Sequence, residues 1–109
     1  MIETILGSEV LERVLIYLLL RENGYGREIA TFFEIDVNQI QKQLKKLEGG
    51  GVLVSFLEGR TRVYQFNPSY IFLPELKALL SKAFQYYPQD EIERLKMNRR
   101  RPRRSGKPL

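Results

Sequence analysis

Tyr25-Gly26-Arg27-Glu28-Ile29-Ala30-Thr31-Phe32-Phe33-Glu34-Ile35-Asp36-Val37-Asn38-Gln39-Ile40-Gln41-Lys42-Gln43-Leu44-Lys45-Lys46-Leu47-Glu48 holds two helical patterns with almost nothing between them. In the first, Ile29, Ala30 and Phe33 recur at the spacing of one helix face, which predicts a short helix over Arg27 to Phe33. Glu34-Ile35 leaves room only for a tight connection. Asp36 then caps a second helix, with Gln39 in a capping-box arrangement, and the pattern runs to about Glu48. On a helical projection Val37, Ile40, Leu44 and Leu47 point one way, while Asn38, Gln39, Lys42, Lys45 and Lys46 cover the opposite arc and Gln41 lies on the flank.

Downstream, Gly49-Gly50-Gly51 stops the helix. Val52 to Leu57 has β-branched and aromatic strand content, Glu58-Gly59-Arg60 is a turn, and Thr61 to Phe66 returns, so residues 52–66 read as a hairpin closed by Asn67-Pro68. Pro74 suits a helix start, and Leu76, Leu79, Leu80, Ala83, Phe84 and Tyr87 form an apolar stripe behind it that ends before Pro88. Upstream, Ser8 is an N-cap and Val10, Leu11, Val14, Leu15 and Leu18 mark a helix over Ser8 to Glu22, ended by Asn23-Gly24, which tolerate left-handed backbone. Val14 to Leu20 is apolar nearly all round, so this helix needs cover on more than one side, and a partner subunit is the expected source.

The chain of 109 residues suits one hydrophobic core, and 43% hydrophobic with 28% charged residues is a globular balance. Cysteine and histidine are absent, which removes disulfides, thiol nucleophiles, imidazole acid/base chemistry and thiolate or imidazole metal sites. The glutamates are scattered without a converging partner, and the glycine run lacks the lysine and hydroxyl residue of a phosphate loop. No enzyme, metal or cofactor is therefore expected. Basic and acidic side chains balance over residues 1–87. From Pro88 onward Arg94, Lys96, Arg99, Arg100, Arg101, Arg103, Arg104 and Lys107 face only Asp90, Glu91 and Glu93. This divides the chain into a folded domain, 1–87, and a basic tail, 88–109, expected to be disordered beyond a helical turn or two over Asp90 to Met97. The seven-residue apolar run Val14 to Leu20 is well short of the roughly 20 residues of a membrane span. With no secretory signal in Met1-Ile2-Glu3-Thr4, the expected location is cytoplasmic.

Two helices joined by a tight turn and followed by a hairpin give a mainly α chain with a small β-hairpin wing (α+β), the order of a winged helix-turn-helix with a long helix after the wing. A helix of this width fits the major groove of duplex DNA, where Asn38, Gln39 and Lys42 are the best-placed base readers, Gln41 flanks them, and Lys45 and Lys46 reach phosphates. Arg60 and Arg62 suit an adjacent minor groove or backbone, or simply protect the hairpin edge; Tyr64 reads as core. Arg99, Arg100, Arg101, Arg103 and Arg104 make a candidate DNA arm. Lysine and glutamine are also ordinary exposed helix residues, so the order of elements, not charge, favours DNA. The other readings are a winged-helix protein-interaction module and a non-specific nucleic-acid binder driven by the tail.

The chain resembles the ArsR-type winged helix-turn-helix transcriptional regulators over about residues 5–87. The resemblance is carried by Tyr25-Gly26-Arg27-Glu28-Ile29-Ala30, Ile40 to Glu48, Gly51-Val52-Leu53, Glu58-Gly59-Arg60-Thr61-Arg62-Val63-Tyr64 and Asn67-Pro68. It implies a homodimeric, sequence-specific regulator of transcription, a repressor in the expected case, with each recognition helix in a major groove. It also implies a dimer interface on the first and last long helices, here Leu11, Val14, Leu15, Leu18, Leu76, Leu79, Leu80 and Phe84. The family often has glycine where this chain has Glu34, which a right-handed backbone accepts, and serine where it has Asp36. The cysteine and histidine ligands of the metal-sensing branch are missing.

Overall fold

Ser8 starts the first long helix as its chemistry suggests: the backbone is extended and Oγ accepts the Leu11 N–H at 3.1 Å. The computed structural model describes residues 1–99. In chain order it contains α1 (Glu3–Leu6), α2 (Glu9–Arg21), α3 (Gly26–Phe33), α4 (Val37–Gly49), β1 (Leu53–Glu58), β2 (Thr61–Phe66), α5 (Leu73–Phe84) and α6 (Gln89–Arg99). The described residues are thus mixed α+β, six helices and one antiparallel hairpin, an arrangement compatible with a winged helix. None of these helices is long and apolar enough to cross a membrane.

The expected partner cover for the first long helix is corrected. α2 runs through the middle of the body and packs against α1, α3, α4, α5, α6 and β2. Leu11, Val14, Leu15 and Leu18 are buried within the chain, as are Leu80 and Phe84 of α5; of the expected interface only Leu76 and Leu79 stay partly exposed. The all-round apolar surface of α2 is explained by neighbours on every side.

α2 also carries Glu12, the one charged residue fully buried among the described residues, 1% exposed. Its carboxylate accepts the Ile2 N–H at 2.9 Å, the Met1 amino group at 3.1 Å and the Tyr87 hydroxyl. Those donors offset the desolvation of the charge and tie α1 and the α5–α6 connection to α2. The left-handed residue at the end of α2 is Glu22 (φ 75°), one position ahead of the expected Asn23-Gly24. Gly24 bridges instead to the hairpin. Its N–H donates to the Tyr64 carbonyl at 3.1 Å and its carbonyl accepts the Tyr64 N–H at 2.8 Å. A Cβ at Gly24 would stand 2.8 Å from the buried Tyr17 ring of α2, so only glycine fits against that ring while pairing with Tyr64.

The expected tail also starts later than residue 88. α6 extends to Arg99 and lies on the body, with Leu95 fully buried and Ile92 partly so. Arg94 donates to the Phe32 carbonyl at 2.8 Å and stacks over the Phe32 ring, Arg21 donates to the Leu95 carbonyl at 3.2 Å, and Arg13 pairs with Glu91 at 2.7 Å. Cation–π stacking, the bond to the Phe32 carbonyl at the end of α3 and the bonds from α2 fasten a helix whose own apolar surface is small.

Candidate nucleic-acid interface

α4 is held by its inner face and open on its outer one. Ile40, Leu44 and Leu47 are buried, whereas Asn38, Gln39, Lys42, Lys45 and Lys46 are all exposed, as the projection predicts. Asp36 caps the helix by accepting the Asn38 N–H at 2.8 Å, rather than that of Gln39 as in a capping box. Gln41 sits apart from these side chains. It is half-buried where α4 crosses α3, and its amide fills the space that a Cβ on Gly26 would need.

The turn ahead of α4 differs from expectation. Glu34 is left-handed (φ 58°, ψ 47°), not right-handed. The Ile35 N–H reaches the Ala30 carbonyl at 3.0 Å and the Glu34 N–H reaches that of Thr31 at 3.4 Å, the pair of bonds that defines a Schellman motif. This closure rotates the chain sharply from α3 into α4. The local requirement for those two bonds overrides the side chain's preference for a right-handed backbone.

The hairpin stands beside α4. Its register pairs Leu53 with Phe66 and Glu58 with Thr61, leaving Gly59-Arg60 as a two-residue loop. Gly59, at φ 65°, supplies the positive φ that a tight hairpin turn needs at its first position. Arg60 is exposed at the turn, and Arg62 is exposed two residues further on, at the second position of β2. Ser55, Leu57, Arg62 and Tyr64 share the face toward the helices, where Tyr64 is buried. Arg62 Nη1 donates to Ser55 Oγ at 3.0 Å, and that hydroxyl donates to Glu48 Oε2 of α4 at 2.6 Å. Burial raises the Tyr64 phenol above its usual range; the Glu48 carboxylate adds to the rise and the Arg62 cation opposes it, so both charges lie close to this ring.

Between hairpin and helices lies a cleft of about 240 Å³, lined by Tyr25, Gly26, Arg27, Gln41, Arg60, Thr61 and Arg62. The N-terminus of α3 opens onto it without a side-chain cap. The positive end of a helix dipole, uncapped N–H groups and the cations of Arg27, Arg60 and Arg62 form an electropositive notch suited to an anion such as phosphate. Arg27 and Tyr25 are not among the side chains that the sequence marks as DNA contacts. The available signal was a helix start, Tyr25-Gly26-Arg27, with no Ser, Thr, Asp or Asn at the cap.

Among the described residues no group of three or more Asp and Glu side chains is placed to hold a metal ion. Arg99 ends α6, and Arg100, Arg101, Arg103 and Arg104 lie outside the described residues. Comparison of the chain with family models, curated proteins and solved structures finds no match.

Proposed function

We propose that this protein is a sequence-specific double-stranded DNA-binding regulator of transcription, α4 serving as recognition helix and the β1–β2 hairpin as wing. The observation that carries the reading is the outer face of α4. Asn38, Gln39 and Lys42, side chains able to read base edges, stand exposed on a helix whose other face is anchored in the core, beside a hairpin bearing Arg60 and Arg62. In this reading the notch at the start of α3 receives a backbone phosphate and sets the register of the helix in the groove. The regulator acts as a homodimer, its copies meeting along Phe72, Leu76, Leu79 and Tyr86, which follow one another at helical spacing along α5 and its flanks; Phe72 is 59% and Tyr86 65% exposed.

Selection from a randomised duplex library at about 200 mM salt, where purely electrostatic binding is strongly weakened, tests the reading. Enrichment of a short motif, as an inverted repeat for a dimer, is the expected outcome. Asn38→Ala or Lys42→Ala should then relax preference at single base pairs, at a cost of about 1–3 kcal/mol for a lost bidentate contact. No enrichment would turn the reading toward a protein-interaction module.

A further inference from the structure

The Glu48–Ser55–Arg62 chain joins three elements of different kinds: the last turns of α4, the first strand of the hairpin and the second. Ser55 uses its hydroxyl in both senses, donating to a carboxylate and accepting from a guanidinium, so each bond is charge-assisted and each polarises the other. No comparable hold exists on Arg60 among the described residues, although it sits only two positions before Arg62, in the hairpin turn. An arginine left free on a hairpin loses rotamer entropy when it meets a ligand, whereas one already fixed has lost it during folding.

We propose that Ser55 is a positioning residue which, with Glu48, fixes the Arg62 guanidinium at the rim of the cleft, so that recognition helix and wing present one rigid cationic contact to the DNA backbone. The proposal rests on the DNA-binding reading above. Arg62 makes the contact; Ser55 acts only through it.

The test uses the full chain and a duplex enriched by the wild type. Ser55→Ala should weaken binding roughly fivefold, the ordering cost of one long side chain, and should leave the slope of log affinity against log salt unchanged because the cation is still present. Arg62→Ala should lower that slope by about 0.9, the value of one phosphate contact. Ser55→Ala added to Arg62→Ala should cost nothing further, and Ser55→Thr, which keeps the hydroxyl, should bind as the wild type does. In the free protein, relaxation of the arginine Nε–H signals should show Arg62 ordered and Arg60 mobile, with Ser55→Ala making the two alike. The relay is overturned if Ser55→Ala binds unchanged or more tightly, if its loss persists in the Arg62→Ala background, or if Arg62 is already as mobile as Arg60. A wild type that enriches no duplex overturns the underlying reading, and the relay falls with it as a DNA-binding device even if the Arg62 signal is ordered.

Discussion

α2 and α4 have thirteen residues each, but α2 buries seven side chains and α4 only three. α2 meets a neighbour in every direction and spends its surface on the core, down to a carboxylate that accepts from three donors. α4 invests one stripe, Ile40, Leu44 and Leu47, flanked by half-buried Val37, Gln41, Gln43 and Glu48, and leaves the arc of Asn38, Gln39, Lys42, Lys45 and Lys46 polar and open. The contrast teaches a division of labour: one helix organises the body so that the other can be displayed rigidly without being enclosed. It also corrects the idea that an apolar helix in a small chain must seek a partner, since five other helices and a strand suffice to cover it.

The sharpest way to break the comparison is to substitute both helices and measure stability alone. Leu15→Ala removes a fully enclosed side chain and should cost about 2–5 kcal/mol, whereas Lys42→Ala on the open face of α4 should stay within about 0.5 kcal/mol of wild type. Chemical denaturation with a shared m-value reads both. Equal losses would mean that α4 is as integrated into the core as α2.

Alkaline pH sharpens the contrast further. Burial pushes the Tyr17 phenol of α2 well above its usual range, with Glu28 adding to the rise, and the Tyr87 phenol moves the same way through burial and its bond to Glu12. Both protons are held more tightly in the folded chain than in the unfolded one. The stability they contribute is therefore complete below about pH 10, where unfolded tyrosine begins to ionise, and is lost as pH rises from there toward the folded values. Thermal unfolding followed from neutral pH to pH 11 should show a falling midpoint. Tyr17→Phe lowers stability at neutral pH by removing the 2.9 Å bond from Arg21, but makes the alkaline fall shallower. An unchanged slope would mean that the enclosure of α2 has no hold on this proton.

Much of this division was legible in the sequence because it is local. Ser8 and Asp36 cap the helices that their chemistry suggests, the α4 stripe is a periodicity, and Gly59 marks the hairpin turn, although Glu58, read as part of that turn, ends β1 and leaves a loop of two residues. The parts that escaped depend on long-range pairs. α6 has few apolar residues, so the sequence predicts only a helical turn or two there and no packing on the body; it is fastened by bonds from Arg94 to Phe32, Arg21 to Leu95 and Arg13 to Glu91, each linking residues more than sixty positions apart. The part of Arg27 in the cleft likewise emerges only when the hairpin folds back beside the start of α3. Glu34 escaped for the opposite reason: its conformation is local, but it contradicts its residue type.

Glu34 accordingly supplies the smallest and most discriminating test of how α4 comes to be displayed. It occupies the left-handed position of the Schellman closure that aims α4, where glycine carries no Cβ penalty. Glu34→Gly relieves roughly 1–2 kcal/mol of backbone strain and returns part of it through greater freedom of the unfolded chain, leaving a net gain of about 0.5–1 kcal/mol. Glu34→Ala is the necessary companion, since it removes the same exposed carboxylate yet keeps a Cβ at positive φ. A gain confined to glycine assigns the cost to the backbone, so that the fold tolerates strain at the turn in order to set the angle between α3 and α4. Equal gains in both variants would assign it to the carboxylate instead, and the turn would then be relaxed as it stands.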